Sequence, residues 1–227
     1  MQFLYHPDAG LPELMIEQEA YRYIFKVRRH KEGERIALRN LTDHTLYFYR
    51  IDQVTRREAK LLYLDQEERI VMPHNGLHLG WCVIDPKTVE KSLPMLNELG
   101  VAKISFVYCE RSQKNFKVDF ERLRRILINS SQQCGRSVMM ELESFPSIEA
   151  YFEHYPESAI LDFGGTPLTH EATIRSILIG CEGGFSDTER TLFATHPIYG
   201  LATPLILRSE TAAVSLASLV GLGLVNA

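Results

Sequence analysis

The residues best suited to chemistry crowd into the last third of the chain. An apolar run from Ile177 to Ile179 leads into Gly180-Cys181-Glu182-Gly183-Gly184-Phe185-Ser186. The run reads as a short buried strand, and three glycines within five residues make the turn after it. Ser186 with Glu189 three positions later has the capping-box spacing that opens a helix. Glycine lacks a Cβ, so the turn's backbone N–H groups can approach a ligand closely; a bare strand-to-helix connection accounts for the local pattern equally well. Two further turns follow strands: Leu161-Asp162-Phe163-Gly164-Gly165, and the stretch from Leu201 through Ala202, Thr203, Pro204, Leu205 and Ile206 to Leu207. If the three converge, they make a pocket of main-chain donors and acceptors with apolar walls. Arg208 and Glu210 come next and are the charged residues nearest such a pocket. They precede a helix whose N-terminus favours anions, with Ser209 or Thr211 available as a cap. A structural role is the competing reading, with Arg208 pairing with Glu182 or Glu210 to hold the turns together. A dinucleotide fold would carry G-x-G-x-x-G after its first strand, and nothing of that kind occurs near Leu77 to Asp85.

The elements that must position these residues alternate from Leu77 onward. Strands are expected at Leu77 to Ile84, Ile104 to Cys109, Ala159 to Phe163, Ser176 to Gly180 and Ile198 to Ala202. Helices are expected at Lys87 to Leu99 (with Pro94 forcing a kink or adjustment), Phe120 to Cys134, Ile148 to Tyr155, Asp187 to His196 and Ser209 to Val225. Alternation of this kind predicts a mainly parallel sheet. Ligands at such sheets sit beyond the carboxyl ends of the strands, where these turns fall. Residues 1–72 read differently. Near-period-two segments at 35–39, 45–51 and 59–64 point to a small β-rich domain, with a helix across Ile16 to Phe25. Met72-Pro73-His74-Asn75-Gly76 is the natural boundary, giving domains of 1–72 and 73–227.

Composition narrows the function classes. Hydrophobic residues make up 45% and charged residues 24% of 227, an ordinary globular balance. Cys82, Cys109, Cys134 and Cys181 form no C-x-x-C pair, so neither a zinc site nor a disulfide framework is expected, and reduced thiols fit the cytoplasm. No signal peptide opens the chain, and Val214 to Val225 is too short to span a bilayer, so no membrane association is expected. The net charge of −4 does not advertise nucleic acid, but its distribution does more. Lys26, Arg28 and Arg29 crowd one helix end with His30 and Lys31. Arg111, Lys114, Lys117, Arg122, Arg124, Arg125 and Arg136 form a second basic run on a domain with 13 basic and 17 acidic residues. Each is either a polyanion surface or a solvated face.

The motifs carry a family resemblance. Residues 179–186 resemble the I-G-P-E-G-G-F-S motif of the ribosomal RNA small-subunit methyltransferase E family. Leu207-Arg208-Ser209-Glu210-Thr211-Ala212 resembles its L-R-T-E-T-A motif. Glu110-Arg111-Ser112 and Gln132-Gln133-Cys134-Gly135-Arg136-Ser137 resemble two further segments, in family order. Cys181 stands where the family has proline, Thr203 where it has glycine and Leu205 where arginine is common. The resemblance implies an α/β fold: a SPOUT-type, trefoil-knotted, mainly parallel C-terminal sheet with helices on both faces, plus an N-terminal PUA-like β-barrel. It implies S-adenosyl-L-methionine held by Leu161, Asp162, Phe163, Gly164, Gly180, Cys181, Glu182, Gly183, Gly184, Leu201, Ala202, Leu205, Ile206 and Leu207. It implies N3 methylation of a uridine in small-subunit ribosomal RNA, free or in the assembled subunit, by a homodimer. Lys26, Arg28, Arg29, Arg111, Lys114 and Arg136 would contact RNA. Removing the imide proton requires a base or a stabilised anion, which points to Glu210, with Arg208 or Arg111 offsetting charge. The runner-up is a non-catalytic RNA-binding or ribosome-assembly factor on the same fold.

Overall fold

A computed structural model describes residues 2–73, 76–113 and 115–226. The chain forms two compact units, residues 1–72 with 128–139, and residues 73–127 with 140–227.

In the first unit β1 (Leu4–Tyr5), β2 (Glu13–Glu17), β3 (Arg35–Arg39), β4 (Thr45–Val54) and β5 (Glu58–Glu68) form one sheet in the order β1-β3-β4-β5-β2. The β1–β3 pair is parallel and the others antiparallel. Among the described residues no pairing joins β1 to β2, so the expected barrel is a curled sheet with two edges. Alternation sets the inward face: Leu14 and Ile16 of β2 and Ala59 and Leu61 of β5 are buried around Tyr49, Ile51, Tyr21 and Ile24. The helix expected from Ile16 starts later. Met15 and Ile16 pair with Lys60 and Ala59, and Gln18 turns the chain at φ +51°. A short α1 (Gln18–Tyr21) then runs into a π-helical turn, Arg22–Val27, because helical spacing begins only with Tyr21, Ile24 and Phe25.

A single boundary at 72/73 omits one feature of this unit. Residues 128–139 return to it. Ser137 N–H donates to Val71 O at 2.9 Å and Met139 N–H to Leu41 O at 3.0 Å. Ile128 and Met139 pack on Phe3, Leu41 and Leu46. These contacts span long stretches of chain, so composition could not place them.

The second unit holds six parallel strands in the order β11-β9-β10-β6-β7-β8. They are β6 (His78–Cys82), β7 (Lys103–Val107), β8 (Glu141–Phe145), β9 (Ala159–Pro167), β10 (Ser176–Ile179) and β11 (Ile198–Gly200). The helices are α2 (Pro86–Glu98), α3 (Phe120–Cys134, its residues from 128 on belonging to the first unit), α4 (Ile148–His154), α5 (Asp187–Thr191) and α6 (Ser209–Gly221). Asp85 caps α2, with its carboxylate accepting from Thr88 N–H, and Pro86 takes the first position where no N–H is needed. The helix continues through Pro94. β6 is buried at every position, as a central parallel strand requires. β8 had no place in the sequence expectation. It is an edge strand, ELESF, whose Glu143 is satisfied from within by Ser105 and Tyr155. The helix expected over Asp187 to His196 gives way to a 3₁₀ turn at Leu192–Thr195. α6 stops at Gly221, where a Cβ would lie 2.1 Å from Leu99 O; its packing on α2 requires bare backbone there.

Candidate functional site

β11, β9 and β10 are neighbours, so the far half of β9 and the turns that leave β10 and β11 meet; the turn expected at Leu161 to Gly165 is part of β9 itself, which runs on to Pro167 because Thr166 and Pro167 pair with Tyr199 and Gly200 of β11. The three segments enclose a cavity of about 540 Å³, within the roughly 300–1,000 Å³ usual for small-molecule sites. Leu161, Asp162, Phe163 and Gly164 line it from β9. Gly180, Cys181, Glu182, Gly183 and Gly184 line it after β10, and Leu201, Leu205, Ile206, Leu207 and Arg208 after β11. Ala202 is not in the wall; Thr203 is. Gly184 adopts φ +66°, the left-handed conformation that L side chains resist. Behind the turn Phe185 is buried edge-on against Phe193, with ring centroids 4.9 Å apart.

Side chains lock the turns. Ser186 and Glu189 form the full capping box: Glu189 N–H donates to Ser186 Oγ at 3.1 Å, and Ser186 N–H donates to Glu189 Oε2 at 2.8 Å. The second oxygen of Glu189 accepts from Glu110 N–H at 2.7 Å, a contact no spacing rule reveals. Glu189 is 2% exposed. The Asp162 carboxylate is held by both terminal nitrogens of Arg190, so this pair crosses from β9 to α5. Ser209 does not cap α6. It accepts from Trp81 Nε1–H at 2.9 Å and donates to Gly180 O at 2.6 Å, fastening the start of α6 to the glycine turn. The residue at the cap, Arg208, makes no side-chain cap bond.

The charged candidates fall into two groups. Arg111 lines the cavity and donates from Nη1 to Gly183 O at 2.7 Å. Arg208 lines it too, with its side chain 82% exposed and Nη1 3.9 Å from Glu210 Oε1. Glu210 sits in the first turn of α6, outside the wall formed by this single chain. Cys181 lies 3.5 Å, sulfur to sulfur, from Cys109. That contact and burial push its thiol up, and burial also pushes up Cys82, which lies outside the cavity wall; both are protonated at neutral pH. Among the described residues no cluster of His, Cys, Asp and Glu suits a metal ion.

The RNA candidates separate more sharply. Lys26, Arg28 and Arg29 are exposed at the end of the π-helical turn. The Arg28 guanidinium bonds Tyr23 Oη at 2.9 and 3.1 Å. Lys114 lies outside the described residues. Arg136 is buried at 4% exposure, with Nε donating to Val138 O at 2.9 Å. Its side chain is buried rather than held out to solvent, which corrects its place in an exposed basic run. A second cavity, of about 590 Å³, opens past β7 and β8, with Tyr108, Phe145 and Glu149 in its wall beside Glu110, Ser112 and Glu189 of the sequence motifs.

The RNA methyltransferase domain family matches residues 72–221, and the RNA methyltransferase PUA domain family matches residues 16–62. The ribosomal RNA small subunit methyltransferase E of Helicobacter pylori is 42% identical over 223 residues, covering 96% of this chain and 99% of that protein. Its Aquifex aeolicus counterpart is 27% identical, covering 95% and 97%. A Legionella pneumophila protein, solved with the bound cofactor SAM, superposes with a TM-score of 0.82 at 26% identity over 96% of both chains. The Neisseria gonorrhoeae ribosomal RNA small subunit methyltransferase E, bound to S-adenosyl methionine, shares the fold at a TM-score of 0.77 and 20% identity, covering 96% and 95%. The class is therefore an RNA methyltransferase with an accompanying PUA domain. Within that class, the chain belongs to the ribosomal RNA small subunit methyltransferase E family. Among the described residues no helix is long and apolar enough to cross a membrane.

Proposed function

We propose that this chain transfers a methyl group from S-adenosyl-L-methionine to N3 of a uridine in small-subunit ribosomal RNA. The observation that carries the reading is the convergence of the far half of β9 and the turns after β10 and β11 on one cavity in a chain of this family. The wall suits the cofactor chemically. Gly180 to Gly184 bring main-chain polar groups to its edge, and Leu161, Phe163, Leu205, Ile206 and Leu207 supply apolar surface for a purine ring. When bound, the cofactor supplies an already electrophilic methyl group, which leaves alignment and proton handling to the protein. The far half of β9 and the turns after β10 and β11 then form a trefoil knot around that slot.

The N3 proton of uridine must leave, and Glu210 takes it, directly or through water. Arg208 and Arg111, both in the cavity wall, offset the developing negative charge. The working enzyme is a homodimer, as the family resemblance implies, with a second chain packed beside the site. Leu205 and Ile206 beside the cavity are 71% and 84% exposed, which suits an apolar contact. Residues 1–72 bind RNA, with Lys26, Arg28 and Arg29 on phosphates, and residues 73–227 perform catalysis. The target base is unpaired or flipped out to reach the cavity. The enzyme works in the cytoplasm on ribosomal RNA, free or in the assembled subunit.

The test is mass-spectrometric mapping of ribosomal RNA from cells lacking the protein, with rescue by pure enzyme and calorimetric titration with S-adenosyl-L-methionine. Loss of one N3-methyluridine, restored by the enzyme, supports the reading. An unchanged modification map with no cofactor binding refutes it. A Glu210→Gln variant with full turnover removes Glu210 as the base.

A further inference from the structure

We propose that Glu189 is a positioning residue for methyl transfer, holding the loop that carries Arg111 against the glycine turn of the cofactor cavity. The proposal rests on the reading above, in which Arg111 serves the reaction centre. Glu189 is one of the few buried carboxylates in the second unit, at 2% exposure, and among the described residues no side-chain cation forms an ion pair with it. Both its oxygens are taken by backbone donors from different segments. Oε2 accepts from Ser186 N–H at 2.8 Å, at the end of the glycine turn. Oε1 accepts from Glu110 N–H at 2.7 Å, one residue before Arg111. The capping box alone would need only the first of these bonds.

Two further contacts show that the same loop is pressed onto the same turn. Arg111 Nη1 donates to Gly183 O at 2.7 Å. A Cβ built on Gly183 would lie 3.2 Å from Arg111 Cβ, so the arginine stem passes directly over bare backbone. Glu189 is the anchor of this arrangement, since its charge-assisted bonds are the strong ones and they are shielded from water. Its acceptor-only carboxylate is matched to two N–H donors. Glutamine has the same shape but turns one of those contacts into a donor facing a donor. Shifting Arg111 by a fraction of its reach then costs turnover without removing any group that touches substrate.

The test is a double-mutant cycle on the full-length enzyme with Glu189→Gln, Arg111→Ala and the pair together. It reads kcat and KM for ribosomal RNA, the calorimetric Kd for S-adenosyl-L-methionine, and Tm. The expected result is that Glu189→Gln lowers kcat by up to about 100-fold and leaves the cofactor Kd within about threefold. In the Arg111→Ala background the further loss on adding Glu189→Gln shrinks to about threefold or less. Fully multiplicative effects overturn the proposal, as does a cofactor Kd that weakens by the same factor as turnover, because Glu189 would then serve the glycine turn alone. Full turnover by Arg111→Ala also overturns it, with intact cofactor binding leaving the methyltransferase reading standing. Wild-type protein that binds no cofactor would instead sink that reading. If Glu189→Gln folds poorly, Glu189→Asp, still anionic but one methylene shorter, enters the same cycle.

Discussion

Acid should unfold the catalytic unit through one buried imidazole. His78 opens β6 and is 8% exposed. Its Nδ1 lies 2.9 Å from Ser176 Oγ and its Nε2 2.7 Å from Ser105 Oγ. Ser105 Oγ spends its own proton on the Glu143 carboxylate, so it accepts from Nε2–H, which leaves Nδ1 as the acceptor facing the Ser176 hydroxyl, a group shared with Ser158 and Tyr151. The ring is therefore held neutral, with both nitrogens satisfied. Burial, and next the charge of Lys103, bring its pKa down to about 4, against the partial opposition of Glu143. In the unfolded chain it returns to about 6.5. Between these values the unfolded state binds more protons, so stability falls as pH falls through this window. The gap of about 2.5 units corresponds to about 3 kcal/mol, roughly 2 of it lost by pH 5. That is a large share of a typical total stability of about 5–15 kcal/mol. Urea unfolding at pH 7.5, 6 and 5 measures it, with His78→Gln as the comparison. The variant starts less stable but should lack this part of the pH slope. Glu143 does not confuse the result. Hydrogen bonds from Ser105, Tyr155 and Lys103 outweigh burial and hold its carboxyl below the usual range, so its contribution is lost at lower pH. An NMR titration of the imidazole near 6.5 in the folded protein, or equal slopes in the two proteins, would refute the reasoning.

Other perturbations have equally direct outcomes. Ser209→Ala strands the buried Trp81 Nε1–H and Gly180 O; it should cost about 1–3 kcal/mol and weaken cofactor binding, read by urea melts and calorimetry. Arg190→Ala leaves the Asp162 carboxylate, 5% exposed at the side chain, without its partner; a loss of about 3 kcal/mol is expected, and an unchanged Tm would show the pair to be idle. Gly221→Ala drives a methyl against Leu99 O and should cost about 1–3 kcal/mol or more by parting α6 from α2, with little effect on the first unit's own unfolding transition.

Several features were legible along the chain. α3 spans Phe120–Cys134 as its apolar spacing indicates. The run from Ser176 through the glycine turn to a capped helix at Asp187 appears as read, because strand period, turn glycines and an i to i+3 cap are local chemistry. The charged edge strand β8 was not legible, since its pattern is polar and its pairing with β7 is what makes it a strand. Nor was the strand at Glu13–Glu17, whose pairing with β5 takes Ile16 from the start of the expected helix.

The amino-acid order by itself determined the inventory: which segments alternate, where glycine permits close backbone approach, and which charged residues stand beside those turns. Tertiary structure decided who meets whom. Trp81 and Ser209 are 128 residues apart and Glu110 and Glu189 are 79 apart, yet these bonds join α6 and the Arg111 loop to the site. Folding also buried Arg136, which a count of charges had placed on the surface. The physical reason is range. Periodicity and capping act within a few residues, whereas desolvation and hydrogen bonding between distant segments exist only once the sheet has brought them together.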